Sequence, residues 1–291
     1  APVVEAMQQA LPAHQVNMQG LSLEALDNEL AAGHIDFILT NPRHFLTVRL
    51  QHDVTGALAT LKKHHGGRIL SSLAGVMLAP AEADITTLDA LAGRTVGIPG
   101  KRFLGGFLTQ AYEIHQHGYD PASFADYRVL GSHDAVMQAL LNGEVEAGFV
   151  RTGILEDWIA QGRMAEEALQ VVNAHDTHTY FPLAHSTRLY PEWALAAMPH
   201  VPMEDIRRVS NELLRLDGVV SDGQYPVGFD PPQDYLPVEL AARELGVAPF
   251  APEDMTLWQQ LKQRFGKGVW LILGLIGGIV LAVPLLVVLY L

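Results

Sequence analysis

The sequence predicts an α/β protein of two similar lobes followed by one transmembrane helix. Three observations lead there. Short apolar runs alternate with amphipathic helical segments, the pattern of strands exchanging with helices in mostly parallel sheets. A block of the first half recurs in the second: residues 24–41 read EALDNELAAGHIDFILTN and residues 134–151 read DAVMQALLNGEVEAGFVR. At a constant offset of 110 residues, Ala25, Leu30 and Gly33 match Ala135, Leu140 and Gly143, while Leu26, Ile35 and Asp36 meet the similar Val136, Val145 and Glu146. Finally, residues 269–291 carry no charge and one proline, Pro284. At 1.5 Å per residue such a run reaches ~35 Å, enough to span a bilayer core.

Taken in order, residues 2–11 read as a short helix and residues 14–19 as a strand. Ser22 caps a helix with Leu23, Leu26 and Leu30 on one face, and Gly33 stops it. The compact run 35–39 is a buried strand, ended by Thr40-Asn41-Pro42, with a short helix through Val48. Residues 55–61 and 68–78 alternate as strands do, and 88–91 is a helical turn. A strand at 96–98 breaks at Pro99-Gly100 and leads into a helix from Gly105 to His117, with Phe107, Leu108, Ala111 and Ile114 on one face. Then come a strand at 127–130, the second copy of the repeat, a helix at 154–160 and a strand at 169–172. Residues 181–189 return the chain to the first lobe. Residues 203–216 form an amphipathic helix, 219–232 a Gly, Pro and Asp-rich loop, and 236–245 a last helix ended by Gly246. This places lobe 1 at 1–75 and 185–250, lobe 2 at 76–184, a stalk at 251–268 and the membrane helix at 269–291.

Composition narrows the function. Nineteen Lys and Arg against 32 Asp and Glu give a net charge of −13; with no basic block to offset it, this excludes a nucleic-acid partner. Cysteine is absent, which excludes disulfides, thiolate metal sites and cysteine nucleophiles. No signal peptide opens at Ala1 and the chain stops at Leu291, so the expectation is a piece of a longer membrane protein or a mature form with its N-terminus removed.

The stretch 94–107, RTVGIPGKRFLGGF, is the focus of the candidate site. A strand that turns through Gly105 and Gly106 into a helix aims backbone N–H groups and the positive end of the helix dipole at one point, which suits an anion. Lys101 and Arg102 add two cations. The competing reading is an ordinary strand–helix connection with glycines that ease packing. In open α/β sheets ligands bind beyond the carboxyl ends of the strands, which puts Asn41 and Arg151 on opposite sides of a cleft. Ser132 and His133 start another helix facing it. Arg151 either grips an anionic ligand in a bidentate way or pairs with Glu156 or Asp157 on the next helix. Asn41 either meets ligand or caps a turn. The histidines at 175, 178 and 185 lack a fixed helix to present them, and no metal or cofactor is expected. Ser132-His133-Asp134 are adjacent in sequence, which a catalytic triad does not need and rarely shows, so no catalysis is expected of these residues.

At Asn41-Pro42-Arg43-His44, Gly131-Ser132-His133-Asp134-Ala135, Val150-Arg151-Thr152 and Ser186-Thr187-Arg188-Leu189-Tyr190-Pro191-Glu192-Trp193 the sequence resembles the PhnD-like (phosphate/phosphonate-binding-protein-like) periplasmic sensor domains of bacterial signalling receptors, among them tetrathionate-sensor-type histidine kinases. Pro237-Val238 with Arg243-Glu244-Leu245 adds to the likeness, which covers most of residues 1–250. It implies a type II periplasmic-binding-protein fold that closes on a small anionic ligand, with His44 and Thr152 joining the candidate contacts. It also implies that residues 1–268 are periplasmic at a bacterial inner membrane, with a histidine kinase or cyclic-dinucleotide enzyme beyond Leu291. A membrane-tethered solute-binding protein of an ABC-type transporter is the alternative. Two features depart from the pattern: the anion-binding Ser/Thr cluster is replaced by Lys101-Arg102-Phe103-Leu104-Gly105-Gly106, and the chain opens on a helix rather than a strand. Lys262, Arg264 and Lys267 before the span oppose a periplasmic placement by the positive-inside rule. Gly274 and Gly278, one turn apart, suit close helix contact in a homodimer.

Overall fold

The computed structural model describes residues 2–54, 56–65, 68–216 and 228–251. The expected membrane helix, with Gly274 and Gly278, lies outside them. Among the described residues no helix is long and apolar enough to cross a membrane. Residues Ala1–Leu245 form one compact unit and Gly246–Leu291 a second; in the described part of the second, the Phe250 N–H closes a turn onto the Val247 carbonyl at 2.9 Å.

Among the described residues, the first unit is built on two five-stranded sheets, one in each of its two lobes. In the first lobe, helices α1 (Pro2–Ala10) and α2 (Leu23–Ala31) precede strand β1 (Phe37–Thr40), helix α3 (Pro42–Gln51) and strands β2 (Ala59–His65) and β3 (Arg68–Leu70). The chain crosses on β4 (Ser72–Leu73) and enters the second sheet with β5 (Gly75–Pro80). There follow β6 (Thr95–Ile98), α4 (Thr109–Gln116), β7 (Asp126–Val129), α5 (His133–Leu141), β8 (Ala147–Arg151), α6 (Ile154–Ala160) and β9 (Leu169–Val172). The return crossing is β10 (Tyr190–Pro191), after which β11 (Ala194–Ala197), α7 (Met203–Leu213), β12 (Gly228–Asp230) and α8 (Leu236–Glu244) complete the first lobe.

The repeated sequence block builds the same unit twice. Ser22 Oγ accepts the Ala25 N–H at the start of α2, and Ser132 Oγ accepts the Ala135 N–H at the start of α5. Each helix ends on a left-handed glycine, Gly33 or Gly143. Each then feeds a strand, β1 or β8.

The sheets are not mostly parallel, which corrects the expectation from alternation. The order in the first is β1-β11-β2-β12, with β3 on β2, and all these pairs are antiparallel. The second runs β7-β6-β8-β5-β9; β6 lies parallel to β7 and β8, while β5 lies antiparallel to β8 and β9. In the first sheet β11 and β12 join only after the chain has returned, running against their neighbours, and β2 and β3 are consecutive strands; in the second, β5 enters from the crossing against β8 and β9.

Two smaller expectations also change. Residues 14–19 are not a strand; Gln8 serves their backbone instead, its amide nitrogen donating to the His14 carbonyl and its Oε1 accepting the Val16 N–H. Within the expected loop 219–232, β12 forms against β2, with Phe229 opposite Leu61 and buried; residues 219–227 lie outside the described set.

Side-chain alternation packs both faces of the second sheet. Met77, Val96, Ile98 and Phe149 meet Ile114 on one side, while Val76, Leu78 and Val150 meet Val136, Met137 and Trp158 on the other. In the first lobe Leu61, Leu195 and Phe229 pack on α1 and α7, and Ile38, Ala194 and Ala196 pack on Phe45 and Tyr235. Burying each such large side chain contributes roughly 1.5–3 kcal/mol.

The two crossings are bonded together. β4 pairs antiparallel with β10. The Ser186 N–H donates to the Gly75 carbonyl at 2.9 Å, the Gly75 N–H to Thr187 Oγ1 at 3.0 Å and the Met77 N–H to Ser186 Oγ at 2.9 Å.

Candidate functional site

β6 delivers the chain to Pro99-Gly100, and Lys101 and Arg102 sit exposed in the turn that follows. The expected helix start is a π-helical turn, Leu104–Leu108, that runs into α4. Its glycines allow close approach. A Cβ on Gly105 would lie 2.7 Å from Arg151 Cβ, and one on Gly106 would lie 2.4 Å from Pro99 Cγ and 2.7 Å from His133 Cε1. The wider π turn disturbs the usual carbonyl pairing. The fully buried Gln110 compensates: its Nε2 donates to the Gly105 and Val150 carbonyls, both at 2.9 Å. Thus β8, the π turn and the start of α5 are locked around Arg151 and His133.

Arg151 ends β8, and its Nη1 lies 4.0 Å from Glu192 Oε1. Glu192 follows β10, is 1% exposed, and turns its other oxygen to within 3.4 Å of Lys63 Nζ on β2. The Lys63 ammonium sits 3.9 Å above the Trp193 ring. A cation from each lobe therefore converges on one buried carboxylate at the crossing. Burial lowers the Lys63 pKa; Glu192 raises it and Arg151 lowers it further.

His133 packs edge-on against Phe103 at 5.5 Å between ring centroids. Its Nδ1 is buried without a hydrogen-bond partner among the described residues. Burial, with Arg151 adding to it and Asp134 opposing, brings its pKa down to about 4. The ring is thus neutral near pH 7, with one nitrogen a donor and the other an acceptor.

Other residues selected from sequence are bonded to the fold itself. Asn41 Oδ1 accepts the His44 N–H and caps α3. The buried His44 bridges Thr40 Oγ1 and Asp27 Oδ1, each at 2.8 Å. Ser132 caps α5, and Thr152 Oγ1 accepts the Ala74 N–H where the chain enters the second lobe. Gly105, Gly106, His133 and Arg151 are the ones the structure gathers at one place.

Sequence reasoning missed the groups from the first lobe. Lys63 lies just past the expected strand 55–61, in the polar run Lys62-Lys63-His64-His65, and reads as solvated. Glu192 stood in a motif without an assigned chemistry. Gln233 donates its Nε2 to Ser71 Oγ at 2.9 Å and its N–H to Thr60 Oγ1 at 2.9 Å. Tyr235 donates its hydroxyl to the Glu192 carbonyl. No local pattern marks either.

A separate groove of about 490 Å³ is lined by His175, Asp176, His178, His185 and Arg188, among others. Among the described residues no three His, Asp or Glu groups are placed to hold a metal ion.

Two α/β lobes joined by a pair of bonded crossings, with cations and hydrogen-bonding groups where the lobes meet, define a two-lobed ligand-binding domain of the periplasmic-binding-protein kind. A family model described as the periplasmic substrate-binding protein of a phosphonate ABC transporter matches residues 1–235, and the chain belongs to this family. The tetrathionate sensor histidine kinase TtrS of Salmonella typhimurium is 27% identical along an alignment of 293 positions that covers 99% of this chain and 47% of that protein. The chain thus spans about half the length of that relative. Among solved structures, XAC2383 from Xanthomonas citri bound to ATP superposes with a TM-score of 0.64 at 14% identity, covering 84% of this chain and 92% of that one. PhnD1 from Prochlorococcus marinus in complex with methylphosphonate gives 0.57 at 13% identity, covering 84% and 91%. These likenesses establish the two-lobed fold.

Proposed function

We propose that residues 1–268 are the periplasmic ligand-sensing part of a membrane-bound signalling receptor, and that a small anion binds between the lobes. The observation that carries this is the convergence of Arg151 and Lys63, from different lobes, on Glu192. An anion entering beside Arg151 gains a charge-assisted bond there, a neutral His133 and the backbone of the 99–106 turn. Lys101 and Arg102 at the rim attract it over longer range. Ligand that touches both lobes favours one angle between them, and so biases whatever the chain continues into. The sensing role is supported by likeness to a sensor kinase along 99% of this chain and by the apolar run at 269–291. In this reading that run anchors the domain in the bacterial inner membrane, Gly274 and Gly278 bring two copies together, and a histidine kinase or cyclic-dinucleotide enzyme lies beyond Leu291. The alternative, a membrane-tethered solute-binding protein for a transporter, draws on the family description.

The test is a thermal-shift screen of the purified chain against phosphate, methylphosphonate, sulfate, thiosulfate, tetrathionate and small carboxylates, repeated with Arg151→Ala. A stabilising anion whose effect disappears in the variant supports the site. Equal stabilisation of both proteins removes Arg151 from it. A reporter fused beyond Leu291 that proves cytoplasmic supports the orientation, and a periplasmic one refutes it.

A further inference from the structure

We propose that Glu244, at the C-terminal end of α8, is a latch between the lobes that sets their resting angle. Helix α8 belongs to the first lobe. Its start is held at the crossing by the Tyr235 hydroxyl on the Glu192 carbonyl, and its middle by the ion pair of Glu239 with Arg49 on α3. Its end meets α4 of the second lobe. There the Glu244 carboxylate accepts from Gln116 Nε2 at 2.7 Å, lies 3.9 Å from His115 Nε2 and stands near the Tyr112 hydroxyl. Tyr112, His115 and Gln116, side by side within one turn of α4, face one carboxylate, and the Arg188 guanidinium lies 5.1 Å from the Tyr112 ring on the same flank.

Geometry makes this contact sensitive to lobe motion. Nine residue steps along the helix lead from Tyr235 to Glu244, a lever of ~13 Å. A rotation of about 15° about the crossing moves its far end by ~3.5 Å, enough to break a direct hydrogen bond. Packed lobes with a breakable contact have discrete arrangements, so the latch weights one of them. The contact stands apart from the ligand groups, and α8 is the last helix of the unit, immediately before the segment that leads to the apolar run. The inference holds whatever ligand the cleft takes.

The test uses the absence of native cysteine. Spin labels at Leu23→Cys on α2 and Val129→Cys on β7, both exposed, report the distance between the lobes in the full chain without ligand. Glu244→Ala and Gln116→Ala should each broaden the distance distribution or shift its mean by about 3.5 Å, the lever displacement. Gln116→Lys, which gives Glu244 an opposite charge, should narrow it. Glu204→Ala serves as control, because its partners Arg207 and Arg208 lie on its own helix. Distributions that superpose on the parent in Glu244→Ala and in Gln116→Ala, with all variants melting cooperatively, would overturn the proposal.

Discussion

The Tyr235 hydroxyl donates to the Glu192 carbonyl at 2.9 Å. The last helix of the first lobe is thereby anchored to the residue whose carboxylate reaches Arg151 on one side and Lys63 on the other. Backbone position and side-chain charge at the crossing are fixed by one arrangement.

Glu192→Gln tests that arrangement. The amide cannot balance two cations, and a carboxylate 1% exposed is replaced where both partners remain partly buried. Removing one member of a buried charge cluster costs several kcal/mol; with partners partly exposed, about 2 kcal/mol is expected. Urea unfolding should show this loss, while calorimetry with any anion found by screening should show tighter binding, since Arg151 is released to it. Unchanged stability would mean that the contacts of the Glu192 carboxylate with Lys63 and Arg151 contribute nothing to the fold.

Gly105→Ala should separate site geometry from fold. The new methyl group would meet Arg151 Cβ at 2.7 Å and Leu73 Cδ1 at 3.2 Å. Overpacking of this kind costs about 1–3 kcal/mol, and the relief available is displacement of Arg151. A folded variant that has lost anion-induced stabilisation is the expected result in thermal-shift measurements.

His133 makes stability depend on pH in a stated direction. Its pKa is depressed from 6.5 to about 4 in the folded chain, so between those values the unfolded chain takes up a proton that the folded one refuses. The contribution is complete above pH 6.5, falls as pH drops towards 4, and amounts to up to about 3 kcal/mol. Denaturant titrations from pH 7.5 to 4 should therefore show a shallower loss of stability in His133→Gln than in the parent. Equal slopes would place the titrating group elsewhere.

Gln110→Leu should destabilise without touching any charge. It strips the buried Gly105 and Val150 carbonyls of their donor, at a cost of roughly 2–3 kcal/mol. Hydrogen exchange should rise first in the π turn and at the end of β8.

Much of this molecule is legible in its sequence because the relevant signals are local. Ser22 and Ser132 cap helices three residues ahead, Gly33 and Gly143 end them, and the apolar runs before Asn41 and Arg151 are strands. Pairing is not legible: β1 and β11 meet antiparallel although Phe37 and Ala197 are far apart in the chain, and nothing near either residue states the direction of its neighbour. β12 hides in a Gly, Pro and Asp-rich stretch because three residues suffice when an existing strand supplies the other half of the ladder. The π turn hides because two glycines read equally well as a flexible start, and the side chain that satisfies its carbonyl, Gln110, sits inside what reads as an ordinary helix. At the site, Arg151 and His133 are visible at the ends of recognisable elements. Lys63 and Glu192 are not, since their meeting depends on the return crossing.

That return crossing also orders events on the ribosome. All five strands of the second sheet come from one uninterrupted stretch, β5 to β9, so this lobe can close as soon as residue 172 has emerged. The first sheet is different: β1 and β2 are made early, yet the strand that sits between them, β11, arrives only after the whole second lobe. Until then their edges lie open, and open edges are where chains pair wrongly. During synthesis the half made first is therefore the half finished last, and its two waiting strands are the part of this protein most in need of protection from neighbouring chains.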